Sequence, residues 1–135
     1  MKGNKILKIL LVEDNLFEVL RFEKTINSIA INCEVTHAKH GGEAITSLQQ
    51  QVLPDLIILD LDMPELSGLQ FLEIIKQYEH LQDIPTIIHS SHIGQQEIAQ
   101  CFKLGVAGFM VKTTDHENYV LNLQKTLLKW HKKVA

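Results

Sequence analysis

Nothing in this chain approaches the ~20 consecutive apolar residues that cross a bilayer. Its apolar runs, such as Ile6 to Val12 and Leu56 to Leu59, have the length of strands. A secretory leader is not expected either. Lys2, Lys5 and Lys8 are followed at once by Glu13 and Asp14, and no small-residue cleavage site closes an apolar stretch, so a cytoplasmic protein is expected. Cysteine is scarce: Cys33 and Cys101 stand far apart without CxxC spacing, which argues against a zinc site or a disulfide framework and for two small core residues. Basic excess is absent too. A formal net charge of -3 leaves no footprint for nucleic acid, and direct binding to it is not expected.

What is present is the composition of an ordinary globular protein, 45% hydrophobic and 21% charged. The 135 residues suffice for one core and are too few for two, so a single domain over 1–135 with no output domain is expected.

The periodicity of the chain alternates between two kinds. Ile6 to Val12 is a nearly continuous apolar run ending in acid, the pattern of a strand buried on both faces. Leu16 to about Ile29 repeats at helical spacing through Leu16, Val19, Leu20, Ile26 and Ile29. Cys33 to Ala38 alternates as a strand with one wet side, and Gly41-Gly42 opens a second helix that runs through Leu48. The run PDLIILD predicts a third, central strand ending at Asp60.

Ser67 is placed to cap a helix reaching Tyr78, and a fourth strand, from Thr86, ends at Ser90. A helix from Gln95 to Leu104 stops at Gly105, a short strand runs from Gly108 to Lys112, and a last helix from Asp115 to Lys133 gathers lysines at its end. Five strands alternating with five helices through short loops predict an α/β fold: a doubly wound, five-stranded parallel sheet.

Ligands of such sheets bind at the C-terminal ends of the strands, beside the switch in strand order. The chain's unusual residues fall there. Glu13 and Asp14 end the first strand and Asp60 the third, and in the flavodoxin-like order 2-1-3-4-5 these strands are neighbours. Three converging carboxylates repel one another and call for a cation. Oxygen donors with open positions suit Mg²⁺, which commonly pairs one or two carboxylates with phosphate oxygens. Ser90 and Ser91 bring hydroxyls and Lys112 brings a fixed charge to the same rim, both fit to hold phosphoryl oxygens. Each of these residues taken singly is an ordinary loop or surface residue; four strand ends carrying them on one rim are not.

Glu13-Asp14-Asn15, the segment Pro54 to Asp60, Met63-Pro64 and Gly68 together resemble the response regulator receiver family, over nearly the whole chain. The separations from Asp60 to Ser90 and from Ser90 to Lys112 match as well. The resemblance implies the following roles. Asp60 is the phosphoacceptor; Glu13 and Asp14 hold Mg²⁺ together with Asp60 and the backbone carbonyl of Asp62. Ser90 is the switch hydroxyl, Lys112 the phosphate-binding lysine and Phe109 the aromatic residue that turns inward on activation. It further implies a sensor histidine kinase or phosphotransfer protein as donor and an unnamed downstream protein as target. The output face lies between the fourth helix, the fifth strand and the fifth helix.

One departure stands out. The family usually has proline after its lysine, whereas Thr113 follows Lys112, so the bond is either trans in a shifted loop or a strained cis bond. Asp62 and His92 either flank a water that attacks the phosphoryl group or point into solvent. His89, inside a strand, reads as a core histidine; His37, His40, His80, His116 and His131 show no ligand spacing. Leu127 and Trp130 either belong to the core or extend an exposed stripe, and in the second case homodimerisation through the face of the fourth and fifth helices follows.

Two other functions compete. The string Asp60-Leu61-Asp62 is similar to the DxD of haloacid-dehalogenase-type phosphatases, but in those enzymes it lies on the first strand and other acids follow late in the chain. A receiver-like interaction module that is never phosphorylated is the stronger rival, and the intact Glu13, Asp14, Asp60 and Lys112 argue against it. The chain is expected to signal rather than to act as an enzyme.

Overall fold

In the computed structural model, which describes residues 5–50, 52–63, 66–91 and 94–134, the apolar runs form one parallel sheet. Strand β1 (Leu7–Val12) pairs with β2 (Cys33–Ala38) on one side and β3 (Leu56–Leu59) on the other. β3 then pairs with β4 (Thr86–Ser90), and β4 with β5 (Gly108–Val111). The order β2-β1-β3-β4-β5 is the flavodoxin-like order expected.

The sheet separates two apolar layers because successive side chains of a strand point to opposite faces. Leu7, Ile9 and Leu11 join Leu56, Ile58 and Ile87 beneath α1 (Leu16–Ser28) and α5 (His116–Val134), whose Phe22, Ile26, Leu123 and Leu127 complete that layer. Leu10, Val12, Ile57, Leu59 and Ile88 meet Ala44, Leu48, Phe71, Leu72, Ile75 and Cys101 of α2 (Gly41–Leu48), α3 (Gly68–Ile75) and α4 (Gln95–Lys103). Covering both faces explains why β3 reads as an unbroken apolar run, and each fully buried Leu or Ile contributes ~1.5–3 kcal/mol. β2, at the sheet edge, keeps the alternation of a strand with one wet side.

Local chemistry starts and stops the helices. Asn15 accepts from the Glu18 N–H to cap α1, and His40 Nδ1 accepts from the Glu43 N–H to cap α2. At α3 the expected Ser67 cap is one half of a capping box with Gln70. Gly105, at φ 88°, ends α4 as its position predicts.

Several boundaries are corrected. β1 begins at Leu7 rather than Ile6, and β3 stops at Leu59, leaving Asp60 as the first residue beyond it. α3 ends at Ile75 rather than near Tyr78, because the Lys76 N–H turns back to the Leu72 and Ile74 carbonyls. β5 ends at Val111, one residue before Lys112, while α4 closes at Lys103 and α5 spans His116–Val134. Leu127 is fully buried and Trp130 packs against the layer under α5, so these two form no exposed stripe; the exposed apolar residues of α5 are Leu121 and Leu128. Cys101 is buried as expected, but Cys33 on the edge strand is only half-buried.

Candidate functional site

The ends of β1 and β3 meet because the Asp60 N–H donates to the Val12 carbonyl at 3.0 Å, which extends the sheet's ladder by one rung. Glu13, Asp14 and Asp60 each offer an oxygen there, all within 4.8 Å of one another. Glu13 and Asp60 are 2% and 5% exposed, whereas Asp14 is exposed and leaves the cluster open on one side. A donor set of oxygens alone, with no sulfur or imidazole, fits a hard divalent ion such as Mg²⁺.

Lys112, just past β5, turns its ammonium into this cluster. It forms an ion pair with Glu13 Oε1 and lies 3.7 Å from Asp60 Oδ1. The Lys112–Thr113 bond is trans, so the lysine reaches the pocket without the proline usual at the next position. Burial pushes the Asp60 carboxyl up to about 7; the Lys112 charge and the Asp62 N–H work against that rise, and the Glu13 carboxylate adds to it. The cluster is therefore short of positive charge, with one ammonium set against three carboxyl groups.

Ser90 is fully buried at the tip of β4, and its hydroxyl donates to Asp62 Oδ2 at 3.2 Å. The Asp62 N–H in turn donates to Asp60 Oδ1, also at 3.2 Å. Asp62 is exposed, and one of its carboxylate oxygens accepts from the Ser90 hydroxyl. His92, its suggested companion, lies outside the described residues. Phe109 is exposed on β5 and meets Phe102 of α4 edge-on, with ring centroids 6.2 Å apart.

Beneath the rim, Gly68 brings the start of α3 against the backbone after Asp60. A Cβ at that position would stand 2.4 Å from the Asp60 carbonyl oxygen and 2.7 Å from the Leu61 Cα, which only glycine avoids. His89 is buried as the sequence indicates, between Phe22 at 6.4 Å and Tyr119 at 5.7 Å. Burial first, then the charges of Lys112 and Arg21, push its imidazole pKa down to about 3 and keep the ring neutral.

Two contacts carry no signal in the linear sequence. His37 Nε2 lies 2.8 Å from the Glu13 carbonyl oxygen and ties the edge strand to the acid pair. Arg21 of α1 reaches the loop that follows Lys112. Both join segments distant in sequence, which periodicity does not report.

A family model for the response regulator receiver domain matches residues 9–124. The protein-glutamate methylesterase/protein-glutamine glutaminase of Treponema pallidum (strain Nichols) is 33% identical over 120 residues, 87% of this chain and 29% of that protein. Chemotaxis protein CheY1 of Helicobacter pylori (strain ATCC 700392 / 26695) is 27% identical over 106 residues, 78% of this chain and 85% of that one. The chain thus spans less than a third of the methylesterase and most of the chemotaxis protein. Among solved structures, the phosphorylated cyanobacterial phytochrome response regulator RcpA superposes with a TM-score of 0.88 at 26% identity, covering 97% of this chain and 98% of that one. The receiver domain of the sensor histidine kinase PA1611 from Pseudomonas aeruginosa PAO1, with a magnesium ion coordinated in its active-site cleft, gives 0.76 at 26% identity, with 95% and 99% covered.

Proposed function

Because the chain belongs to the response regulator receiver domain family of two-component signalling, we propose that it accepts a phosphoryl group on Asp60 and passes the signal on through a change of surface. The observation that carries this reading is the convergence of Glu13, Asp14 and Asp60, with the Lys112 ammonium 3.7 Å from the Asp60 carboxylate. The donor is a sensor histidine kinase or a phosphotransfer protein. An ionised Asp60 oxygen attacks the phosphorus of its phosphohistidine. The new P–O bond forms as the P–N bond breaks, and the departing imidazole nitrogen keeps the electron pair and takes up a proton.

Lys112 offers its charge and Ser90 its hydroxyl to the transferred oxygens. Glu13, Asp14, Asp60 and the backbone carbonyl of Asp62 are the ligands for Mg²⁺, the ion coordinated in the PA1611 receiver. When bound, that ion neutralises charge shared between the carboxylates and the phosphoryl oxygens. The arriving group adds about 1.5 to 2 negative charges, which draw Ser90 and Lys112 toward it. Phe109 then turns from its exposed place beside Phe102 into the space vacated near β4.

The altered face comprises α4, β5 and α5, where Phe102, Phe109, Val111, Leu121 and Leu128 are exposed. Its reader is a separate downstream protein or a second copy of the chain.

The test is incubation with Mg²⁺ and acetyl phosphate, followed by intact-mass comparison of the wild type with Asp60→Asn. A labile, Mg²⁺-dependent phosphoryl adduct that the variant lacks is the expected result. No adduct, together with no binding of beryllofluoride, would overturn the proposal in favour of an interaction module that is never phosphorylated.

A further inference from the structure

Lys112 is held by its backbone from both sides. On one side its own N–H donates to the Ser90 carbonyl at 3.0 Å, the last rung between β4 and β5. On the other, the carbonyl of Thr113 accepts a 2.7 Å hydrogen bond from Arg21 Nη2, which comes from α1 on the far side of the loop. The Thr113 hydroxyl also accepts from the Asp115 N–H at 3.2 Å, where α5 is about to begin. The first and last of these bonds are ordinary strand and turn chemistry. The arginine contact is not local and is charge-assisted, and such bonds are the stronger kind.

The guanidinium is itself braced. Its central carbon sits 3.8 Å from the centroid of the Tyr119 ring, within the range of a cation–π contact. Tyr119 is 2% exposed and leans on His89, and His89 on Phe22, so the stack joins α5, β4 and α1. Arg21 thus carries rigidity from the buried layer to the one loop whose course decides where Lys112 points. That loop has Thr113 in place of the proline that would otherwise restrict its backbone. Arg21 and Lys112 are like charges on one side of the molecule, and the neutral His89 lies near both.

We propose that Arg21 is a positioning residue for Lys112: stacked on Tyr119 and bonded to the Thr113 carbonyl, it fixes the loop that aims the Lys112 ammonium at Asp60. The inference rests on the phosphorylation reading above and adds a residue that touches neither the phosphoryl group nor the metal ligands. Only arginine meets both demands, because its planar fork lies flat on a ring while an edge N–H donates. A lysine at the same place supplies the charge but not both contacts.

The experiment is a double-mutant cycle on beryllofluoride binding in saturating Mg²⁺, followed by fluorine NMR, with Mg²⁺ affinity measured separately by calorimetry. Arg21→Gln is expected to weaken beryllofluoride binding about tenfold, within the range of coupling between residues that share one network. Mg²⁺ affinity is measured separately because the Lys112 ammonium also pairs with Glu13, so that a change in metal binding is told apart from the loss of beryllofluoride binding at saturating Mg²⁺. In a Lys112→Ala background the same Arg21→Gln change is expected to cost nothing further, the signature of two residues acting as one unit. Arg21→Lys should behave like Arg21→Gln.

An equal loss in both backgrounds would mean that Arg21 merely supports the fold, and would overturn the inference. Full affinity in Arg21→Gln or Arg21→Lys would overturn it too, as would failure of both variants to fold. If the wild type itself does not bind beryllofluoride, the phosphorylation reading falls and takes this inference with it. A wild type that binds while Arg21 proves indifferent removes the inference alone.

Discussion

The Ser90 hydroxyl donates to the carboxylate of Asp62 at 3.2 Å, so the serine at the tip of β4 is already engaged by a residue two positions beyond Asp60. To reach a phosphoryl oxygen on Asp60 it must leave that partner. Net contributions of hydrogen bonds to charged groups run at ~1.5–3 kcal/mol, roughly ten- to a hundredfold in an equilibrium, and an exposed acceptor such as Asp62 stands at or below the lower end. Asp62→Ala removes both the competing acceptor and one negative charge beside the incoming group. It is expected to tighten beryllofluoride binding by about three- to tenfold. An unchanged or weaker affinity would show that the bond does not restrain the serine.

Two buried groups should tilt stability with pH in opposite directions. Asp60 has its pKa raised from 3.8 to about 7, so the folded state holds that proton more tightly than the unfolded chain does. Its contribution is present below 3.8 and is lost as pH rises through about 7. His89 has its pKa lowered from 6.5 to about 3. Its contribution is full above 6.5 and is lost as pH falls toward 3, because the unfolded chain takes up the proton first. In Mg²⁺-free buffer between about pH 4 and 6.5 the slopes oppose each other and flatten the wild-type profile. Thermal unfolding of Asp60→Asn should therefore show stability rising with pH across that window, and His89→Phe should show it falling. Profiles parallel to the wild type in both variants would refute the opposition.

Gly68→Ala would set a methyl group 2.4 Å from the Asp60 carbonyl oxygen, and the facing atoms are backbone that cannot rotate away. Overpacking of this kind costs ~1–3 kcal/mol. The urea midpoint is expected to fall accordingly. Because the strained contact is with Asp60 itself, phosphorylation by acetyl phosphate should also slow. Loss of stability with an unchanged rate would place the strain in α3 alone.

The sheet was legible for a physical reason. Double burial of β1, β3 and β4 leaves unbroken apolar runs, and each run ends in the acid or hydroxyl that a strand tip presents to the rim. Asp60, Glu13, Asp14, Ser90 and Lys112 could be nominated because strand ends are set by period, and the structure gathers all five at one end of the sheet. Periodicity does not report where a loop side chain turns. The Ser90 to Asp62 bond depends on such a turn, as does the reach of Arg21 to Thr113 across 92 residues. Trp130 shows the same limit on a helix, since a stripe near the end of α5 reads alike whether it lies against the core or against solvent, and only packing decides.

The hydrogen bond from the Lys112 amide to the Ser90 carbonyl has a mechanical consequence. As the bond from Asp60 to Val12 ties the tips of β1 and β3, this one ties the tips of β4 and β5 within the same continuous sheet. Under the proposed phosphorylation, Ser90 and Lys112 would therefore not answer a new charge as two independent levers. A pull on either would pass through the backbone to the other, and to the outer strand that carries Phe109.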